Sequence, residues 1–345
     1  MSYTTINKST DYFNTLDYNG NGSNRTIIDV GFQPDWVWIK HRNGTSNHNL
    51  FDVIRGATKY IESSSTAPNQ TGSDRLTGFA SDGFDLGSNG GVNASGQTYV
   101  SWNWKANGAG SSNTDGDVTS TVSANTTAGF SISSYTGNAT SGTRVGHGLG
   151  VAPKVIFVKC TSTNSTNWIV YTAATGNTHW MYLNATNAAG ANSGAWNNTS
   201  PTPSVFSLGN DGDVNGSGRT YIAYCFAEKT GYSKFGSYTG NGNADGTFVY
   251  TGFKPAFVMV KASSSSSYDW IILDNKRDTF NVADASLYAN LSNAEATSND
   301  TDFLSNGFKL KSTAAGNNGN GTTYIYMAFA EAPLVGNNNV PCTAR

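Results

Sequence analysis

Short apolar runs alternate along this chain with turn segments rich in Gly, Asn, Ser and Thr. Some runs, such as Val155-Ile156-Phe157-Val158, are apolar on successive positions, which is typical of a strand buried on both faces. Others alternate more clearly, as in Thr98–Trp104. The stretch from Ala283 to Leu304 has weak helical character, and we interpret it as a short helix or a crossing loop. The overall pattern predicts an all-β chain.

Four landmarks occur three times in the same order, which indicates an internal repeat. They are a Tyr-x-Gly turn, a proline-led apolar strand with a lysine six residues after the proline, a second apolar strand, and a last strand beginning Gly-x-Thr-Tyr. The first tyrosines are Tyr18, Tyr135 and Tyr238, the prolines Pro34, Pro153 and Pro255, the lysines Lys40, Lys159 and Lys261, and the last tyrosines Tyr99, Tyr221 and Tyr324. The nearly constant spacing of all four landmarks makes coincidence an inadequate explanation.

Each repeat has the length of an independent domain, about 100 residues, which exceeds the length of a solenoid unit. We therefore predict three tandem antiparallel β-sandwich domains, jelly-roll-like or lectin-like, with a small barrel as the alternative for each. The predicted divisions are repeat 1 at 1–108, a Gly/Ser/Asn-rich linker at 109–127, repeat 2 at 128–230, repeat 3 at 231–335 and a C-terminal tail at 336–345.

Composition excludes several classes of function. The net charge is -2 and no basic run is present, so nucleic-acid binding is not expected. No apolar run reaches the roughly 18 residues of a membrane span, so we expect no membrane insertion. The polar N-terminus lacks the apolar segment of a signal peptide, which predicts synthesis in a cytoplasm. Cys160, Cys225 and Cys342 fit neither a metal motif nor a disulfide framework, and the first two are predicted to be buried.

The residues that could carry chemistry do not form a recognisable site. The histidines are scattered, and we interpret His41 and His48 as surface-loop residues in preference to a metal pair. The segment 211–216 resembles the first half of a calcium loop, but Ile222 replaces the final glutamate, so an Asx turn before a hairpin is the better interpretation. The sequence therefore predicts no catalytic residue, no cofactor and no metal.

The repeat also provides a test, because a residue that serves the fold should recur in all three copies. The recurring lysines are interpreted as strand-end residues whose ammonium groups reach water, with a shared ligand role as the alternative. Asp52 and Asp274 occupy equivalent places and are the basis of a sugar-cleaving alternative. The strand tryptophans are assigned to the core. Trp180 and Trp196 lie in a Gly-, Ala- and Asn-rich stretch and are the candidates for an exposed binding surface.

Several sequence segments resemble segments of proteins from one viral group. They are residues 2–13, Gly31–Lys40, Arg55–Lys59 and Tyr99–Ala106 in repeat 1, and Gly252–Pro255 and Ala328–Glu331 in repeat 3; repeat 2 departs at 148–153. These segments resemble uncharacterised virion structural or tail-fibre-like proteins of tailed, especially marine, bacteriophages.

That resemblance implies a non-enzymatic virion protein made in the host cytoplasm. A fibre or receptor-contact component that acts through surface loops is the first hypothesis. A capsid or neck decoration protein bridging neighbouring subunits is the second, and a polysaccharide depolymerase is a minor third. The expected partners are other virion proteins, a host surface glycan or receptor, and further copies of the chain.

Overall fold

The structure is a computed structural model that describes residues 3–336 and 341–342. It confirms an all-β chain built from several antiparallel sheets. Repeat 1 contains a 3-10 turn (Ser9–Asp11), β1 (Phe13–Asn19), β2 (Arg25–Ile27), β3 (Trp36–His41), β4 (Asn49–Asp52), β5 (Lys59–Tyr60), β6 (Gln70–Thr71), β7 (Leu76–Ala80), β8 (Gly83–Leu86), α1 (Gly90–Asn93) and β9 (Thr98–Trp104).

The other two repeats follow the same plan. Residues 111–226 form β10 (Ser111–Asn113), β11 (Ser120–Asn125), β12 (Phe130–Thr136), β13 (Thr143–Gly146), β14 (Val155–Cys160), β15 (Trp168–Thr172), β16 (His179–Tyr182), β17 (Gly190–Ala191), α2 (Ser193–Trp196), β18 (Val205–Leu208), α3 (Gly212–Asn215) and β19 (Thr220–Phe226). Repeat 3 forms β20 (Ser233–Thr239), β21 (Phe248–Tyr250), β22 (Phe253–Ala262), β23 (Ile271–Asp274), β24 (Ala283–Tyr288), β25 (Ala296–Leu304), β26 (Gly307–Leu310) and β27 (Thr323–Pro333).

Each repeat has a main sheet with one strand order. That order is β1-β9-β3-β4 in repeat 1, β12-β19-β14-β15 in repeat 2 and β20-β27-β22-β23 in repeat 3. The last strand of each repeat therefore lies between the Tyr-x-Gly strand and the proline-led strand. Smaller sets of strands pair separately or at the outer end: β2-β8-β7, β13-β18 and β25-β26-β21.

The two faces of each main sheet enter different cores, because successive side chains of a strand point to opposite sides. In β3, Trp36 and Trp38 belong to a core shared by all three repeats, whereas Val37 and Ile39 belong to a core of repeat 1 alone. Repeats 2 and 3 have private cores of the same kind. The shared core includes Trp104 from repeat 1, Phe226 from repeat 2 and Phe329 from repeat 3. The three main sheets therefore surround one central hydrophobic core.

The repeated tyrosines fix the turns. In repeat 1, Tyr18 stacks on Tyr99 with ring centroids 5.4 Å apart, and the corresponding pairs in repeats 2 and 3 stack at 5.2 and 5.1 Å. The Tyr18 hydroxyl donates to the carbonyl of Val92, and Tyr99 donates to the carbonyl of Gly90. A Cβ on Gly20 would lie 2.1 Å from the carbonyl oxygen of Ala94, so this close approach requires glycine.

A buried asparagine also recurs in every repeat, at Asn93, Asn215 and Asn318, and the sequence reasoning missed it. Each is fully buried. The Asn215 Nδ2 donates to the carbonyls of Thr140 and Gly209, while its Oδ1 accepts from the backbone of Asn138. The other two make the same kinds of bond. The asparagine side chain thus supplies hydrogen-bond partners to backbone N–H and carbonyl groups that no neighbouring strand pairs.

Two sequence interpretations are wrong. The predicted Gly/Ser/Asn-rich linker at 109–127 contains two strands that extend the main sheet of repeat 2, since β11 pairs with β12 and β10 pairs with β11. The stretch from Ala283 to Leu304 forms β24 and β25, because pairing with β23 and β26 overrides its weak helical preference. The other domain limits stay a prediction. Of the predicted tail, residues 337–340 and 343–345 lie outside the described residues.

Candidate functional site

The three repeats make equivalent contacts with one another where they meet. We call these contacts the 1–2, 2–3 and 3–1 junctions. At each one, a backbone N–H donates to a carbonyl two residues beyond a repeated lysine. The pairs are Asn69 to Thr161 (3.0 Å), Ala189 to Ser263 (2.9 Å) and Glu295 to Arg42 (2.7 Å). Repeat 1 thus contacts repeat 2, repeat 2 contacts repeat 3, and repeat 3 contacts repeat 1.

A ring nitrogen makes a second contact of this cycle. The indole of Trp168 donates to the carbonyl of Glu62 at 2.9 Å, and the indole of Trp270 donates to the carbonyl of Tyr182 at 2.8 Å. At the 3–1 junction, His48 occupies the equivalent position, and its Nε2 lies 2.9 Å from the carbonyl oxygen of Tyr288. The three contacts are head-to-tail and they close, which gives the chain an internal pseudo-threefold ring.

His48 is held as a neutral donor. The indole of Trp38 donates to its Nδ1 at 2.7 Å, and an indole N–H can only donate, so the proton of the imidazole lies on Nε2. Burial, together with the nearby Lys40, holds the pKa of His48 well below its usual range. His41 is also buried, with its ring against Tyr99. The prediction that both histidines lie in surface loops is therefore wrong.

The repeated lysines are buried, not solvated. Lys40, Lys159 and Lys261 are all 0% exposed. The ammonium of Lys159 donates to the carbonyl of Thr66 in repeat 1, and that of Lys261 donates to the carbonyl of Thr186 in repeat 2. Burial lowers the pKa of each lysine to about 8. The expectation that these groups reach water is wrong, because the ring covers the strand ends from which they project.

Two junctions contain a buried ion pair. In the 1–2 junction, the Asp52 carboxylate accepts from Arg55 Nε at 2.6 Å and from the hydroxyl of Tyr224 in repeat 2 at 2.7 Å. In the 3–1 junction, Asp274 accepts from Arg277 at 2.7 Å and from the indole of Trp102 in repeat 1 at 2.9 Å.

Burial alone would raise the pKa of Asp274, but Arg277 holds it below its usual value. Asp52 and Asp274 are both 0% exposed. A solvent-accessible acid pair for sugar cleavage is therefore not formed by these two carboxylates.

The 2–3 junction lacks this arrangement. Thr172, Thr175 and Met327 stand where the other junctions have the aspartate, the arginine and the aromatic donor. The space beside Thr172 and Met327 is a small apolar cavity of about 20 Å³, lined also by Val170 and Trp270. The charged groups and their donor are therefore absent together at this junction.

The two predicted surface tryptophans have different environments. Trp196 is 1% exposed and packs edge-to-face on Tyr171. It cannot form an exposed surface, because it belongs to the core of repeat 2; the bonds from Gly209 N to the Ala195 carbonyl and from Gly87 N to the Arg75 carbonyl make it equivalent to Leu76, a core residue of repeat 1. Trp180 is partly exposed and lies against Tyr182, with ring centroids 4.0 Å apart. Its role in binding stays a prediction.

The remaining expectations divide in the same way. Asp211 accepts from the backbone of Asp213, so the Asx turn is confirmed, but it caps α3 and no hairpin follows, because β18 pairs with β13 and β19 pairs with β12 and β14. Cys160 and Cys225 are buried, as predicted. Among the described residues, no three His, Cys, Asp or Glu side chains are grouped as metal ligands. Within the same residues, no helix has the length and apolarity needed to span a bilayer.

Residues 8–333 match one family model, described as a domain of unknown function, DUF7483. The chain belongs to this family. The match begins before β1 and ends with β27, so one family unit contains all three repeats and hence the closed ring. No curated protein and no solved structure matches the chain.

Proposed function

We propose that this chain is a non-enzymatic structural protein of a bacteriophage virion, of the fibre or receptor-contact type, which presents surface loops from a rigid ring. In this proposal each repeat is an antiparallel β-sandwich whose main sheet faces the ring centre. The observation that carries the proposal is the closed cycle of equivalent junction contacts. Because the landmark residues are used in turns, cores and junctions, the loops between them are left to vary.

The ring suits such a role physically. One central core and buried polar contacts at every junction oppose the separation of the repeats. A loop on such a body keeps its position when it meets a partner, so little conformational entropy is lost on binding. The resemblance of repeats 1 and 3 to phage virion proteins gives the biological setting.

The test is binding of the purified full-length chain to cells of the phage's host. We expect saturable binding, and competition that lowers phage adsorption when the protein is added first. Cells of a resistant strain that lacks the phage receptor are the matched control. Absence of binding, together with binding by a different tail protein, would refute a receptor-contact role.

A second candidate is a capsid or neck decoration protein, and two observations favour it. The pseudo-threefold ring matches the symmetry of a site between three neighbouring subunits. Among the described residues, the exposed large apolar side chains concentrate in repeat 3, where they include Phe248, Tyr250, Phe280 and Val282. Imaging of intact particles separates the candidates: density on the head lattice supports decoration, and density on the tail supports receptor contact.

A further inference from the structure

A polar groove in repeat 1 differs from the corresponding surface of the other repeats. The groove has a volume of about 310 Å³ and is lined by Thr45, Ser46, Asn47, Asn49, Glu62, Arg75 and Gly91. Its volume lies at the lower end of the range for small-molecule sites, about 300–1,000 Å³. It lies on the outer side of β4, away from the central core.

The groove side chains are held by one another. Arg75 Nη1 donates to the Asn49 side-chain oxygen at 2.5 Å, and Asn49 Nδ2 donates to the Asn47 carbonyl at 2.9 Å. Asn47 Nδ2 in turn donates to Glu62 Oε2 at 3.0 Å. The Arg75 guanidinium lies 4.3 Å from the ring centre of Tyr60, so that one of its faces is covered.

Three of these positions carry other residues in the remaining repeats. Backbone pairing makes Asn49 equivalent to Ile169 and Ile271, and Glu62 equivalent to Tyr182 and Tyr288. The hydrogen bond from Gly87 N to the Arg75 carbonyl matches those from Gly209 to Ala195 and from Lys311 to Asp300. Arg75 is thus equivalent to Ala195 and Asp300.

The other repeats form the corresponding strands without the polar set. Asn49 is only 1% exposed, so its buried carboxamide depends on hydrogen bonds to Arg75 and Asn47 that isoleucine at the same place does not need. A second feature accommodates the arginine: a Cβ on Gly91 would lie 2.6 Å from Arg75 Nη1, and repeat 2 has Asp213 at this position. In repeat 1, Arg75 is therefore held by a buried amide at Asn49 and has open space beside Gly91.

We propose that this groove binds an uncharged saccharide unit of the host surface. Glu62 supplies acceptors, Arg75 and Asn47 supply donors, and Thr45 and Ser46 supply hydroxyls that do both, which suits neighbouring sugar hydroxyls. The charges of Glu62 and Arg75 balance, so the groove has no excess positive charge that would select an acidic sugar. This inference rests on the proposed receptor-contact function and names its ligand class and its place.

The test uses the full-length chain in three forms, together with one single variant. The first is the wild type. The second is the triple variant Asn49→Ile, Glu62→Tyr, Arg75→Ala, which carries the residues of repeat 2 and is expected to keep the melting temperature. The third is the matched control Arg144→Ala, which removes an exposed arginine of repeat 2 that pairs with Asp117. Each is titrated with neutral and acidic oligosaccharides released from the host surface, and with whole host cells.

We expect the wild type and the control to bind neutral oligosaccharides equally, and the triple variant to bind at least about tenfold more weakly, the loss expected from about 1.4 kcal/mol of removed hydrogen bonding. A single variant, Glu62→Gln, removes the charge balance and should weaken binding without a change in stability. Cell binding by the wild type that persists unchanged in the triple variant would overturn the groove but leave the receptor-contact function standing. Failure of the wild type to bind cells would overturn that function, and preferential binding of acidic sugars would overturn the ligand class.

Discussion

The buried ion pair of the 1–2 junction provides a quantitative test of the ring. The substitution is Asp52→Thr, which installs the residue that repeat 2 has at Thr172. Arg55 would then keep only neutral partners: the Leu50 carbonyl, the Asn69 side chain and the Tyr224 hydroxyl. The side chains of Asp52 and Arg55 are 0% and 6% exposed, so water does not replace the lost carboxylate.

Removing one partner of a buried pair costs about 3–5 kcal/mol, because the other charge stays buried and unpaired. We therefore expect Asp52→Thr and Arg55→Thr each to lower the free energy of unfolding by about 3–5 kcal/mol. The double variant should cost less than the sum by about 2–3 kcal/mol, since it leaves no unpaired charge. Repeat 2 already contains this double combination as Thr172 and Thr175.

The assay is equilibrium unfolding in guanidinium chloride, followed by circular dichroism, for the wild type, both single variants and the double variant. The matched control is the exposed pair Asp117 and Arg144, whose threonine variants should each lower the free energy of unfolding far less than those of the buried pair, with additive effects. If Asp52→Thr stayed within about 1 kcal/mol of the wild type, or if the two substitutions were additive, the 1–2 junction would not contain a coupled buried pair.

Three further predictions concern the ring and its turns. Lys40, Lys159 and Lys261 have a pKa of about 8 in the folded chain and of 10.5 in the unfolded chain, so the free energy of unfolding should rise between pH 8 and 10 by up to about 2–3 kcal/mol per lysine. Denaturant unfolding should show this rise in the wild type and not in methionine variants, and a flat wild-type profile would contradict the burial of the three lysines. Burial would raise the pKa of Glu295, but its ion pairs with Arg42 and Arg277 hold that pKa below 4.5, so the contribution of Glu295 to stability is lost as the pH falls through its pKa in the folded chain. Glu295→Gln should reduce the fall of the melting temperature at acid pH, and an unchanged fall would contradict the pairing. Asn215→Ala should lower the free energy of unfolding by about 2–3 kcal/mol, because two backbone carbonyls lose their donor. The control Asn164→Ala changes an exposed side chain and should leave the free energy of unfolding unchanged, and equal effects of the two variants would refute the role of Asn215.

The repeat and the strand content could be predicted from the sequence because their signals are local. A Tyr-x-Gly turn, a proline at a strand start and a Gly-x-Thr-Tyr strand each occupy a few consecutive residues, and the structure uses Gly20 and Tyr99 as such local elements. The recurring Asn93 was equally readable, since the same residue stands six positions before Tyr99, Tyr221 and Tyr324.

The site residues were harder to predict because their environments come from distant parts of the chain. Lys159 contacts Thr66 and His48 contacts Tyr288 across junctions, and no local sequence pattern predicts these contacts. The small polar neighbours of Trp196 in the sequence predict exposure, yet its side chain, at the place that Leu76 has in repeat 1, is buried in a core. Arg75 and Glu62 belong to no recognisable sequence motif. Only a comparison with the equivalent positions of the other repeats shows that these two residues are particular to repeat 1.

The exceptional 2–3 junction explains how the ring can be specific about which repeats meet. Its backbone contact from Ala189 to Ser263 and its indole contact from Trp270 to Tyr182 match those of the other junctions, so the geometry does not depend on the ion pair. The charges act on partner choice instead. A repeat that brought Met327 against Asp52 would deprive that carboxylate of the Tyr224 hydroxyl, and one that brought Trp102 against Thr172 would meet no carboxylate acceptor. A repeat paired with the wrong neighbour therefore loses buried hydrogen bonds that the correct ring retains.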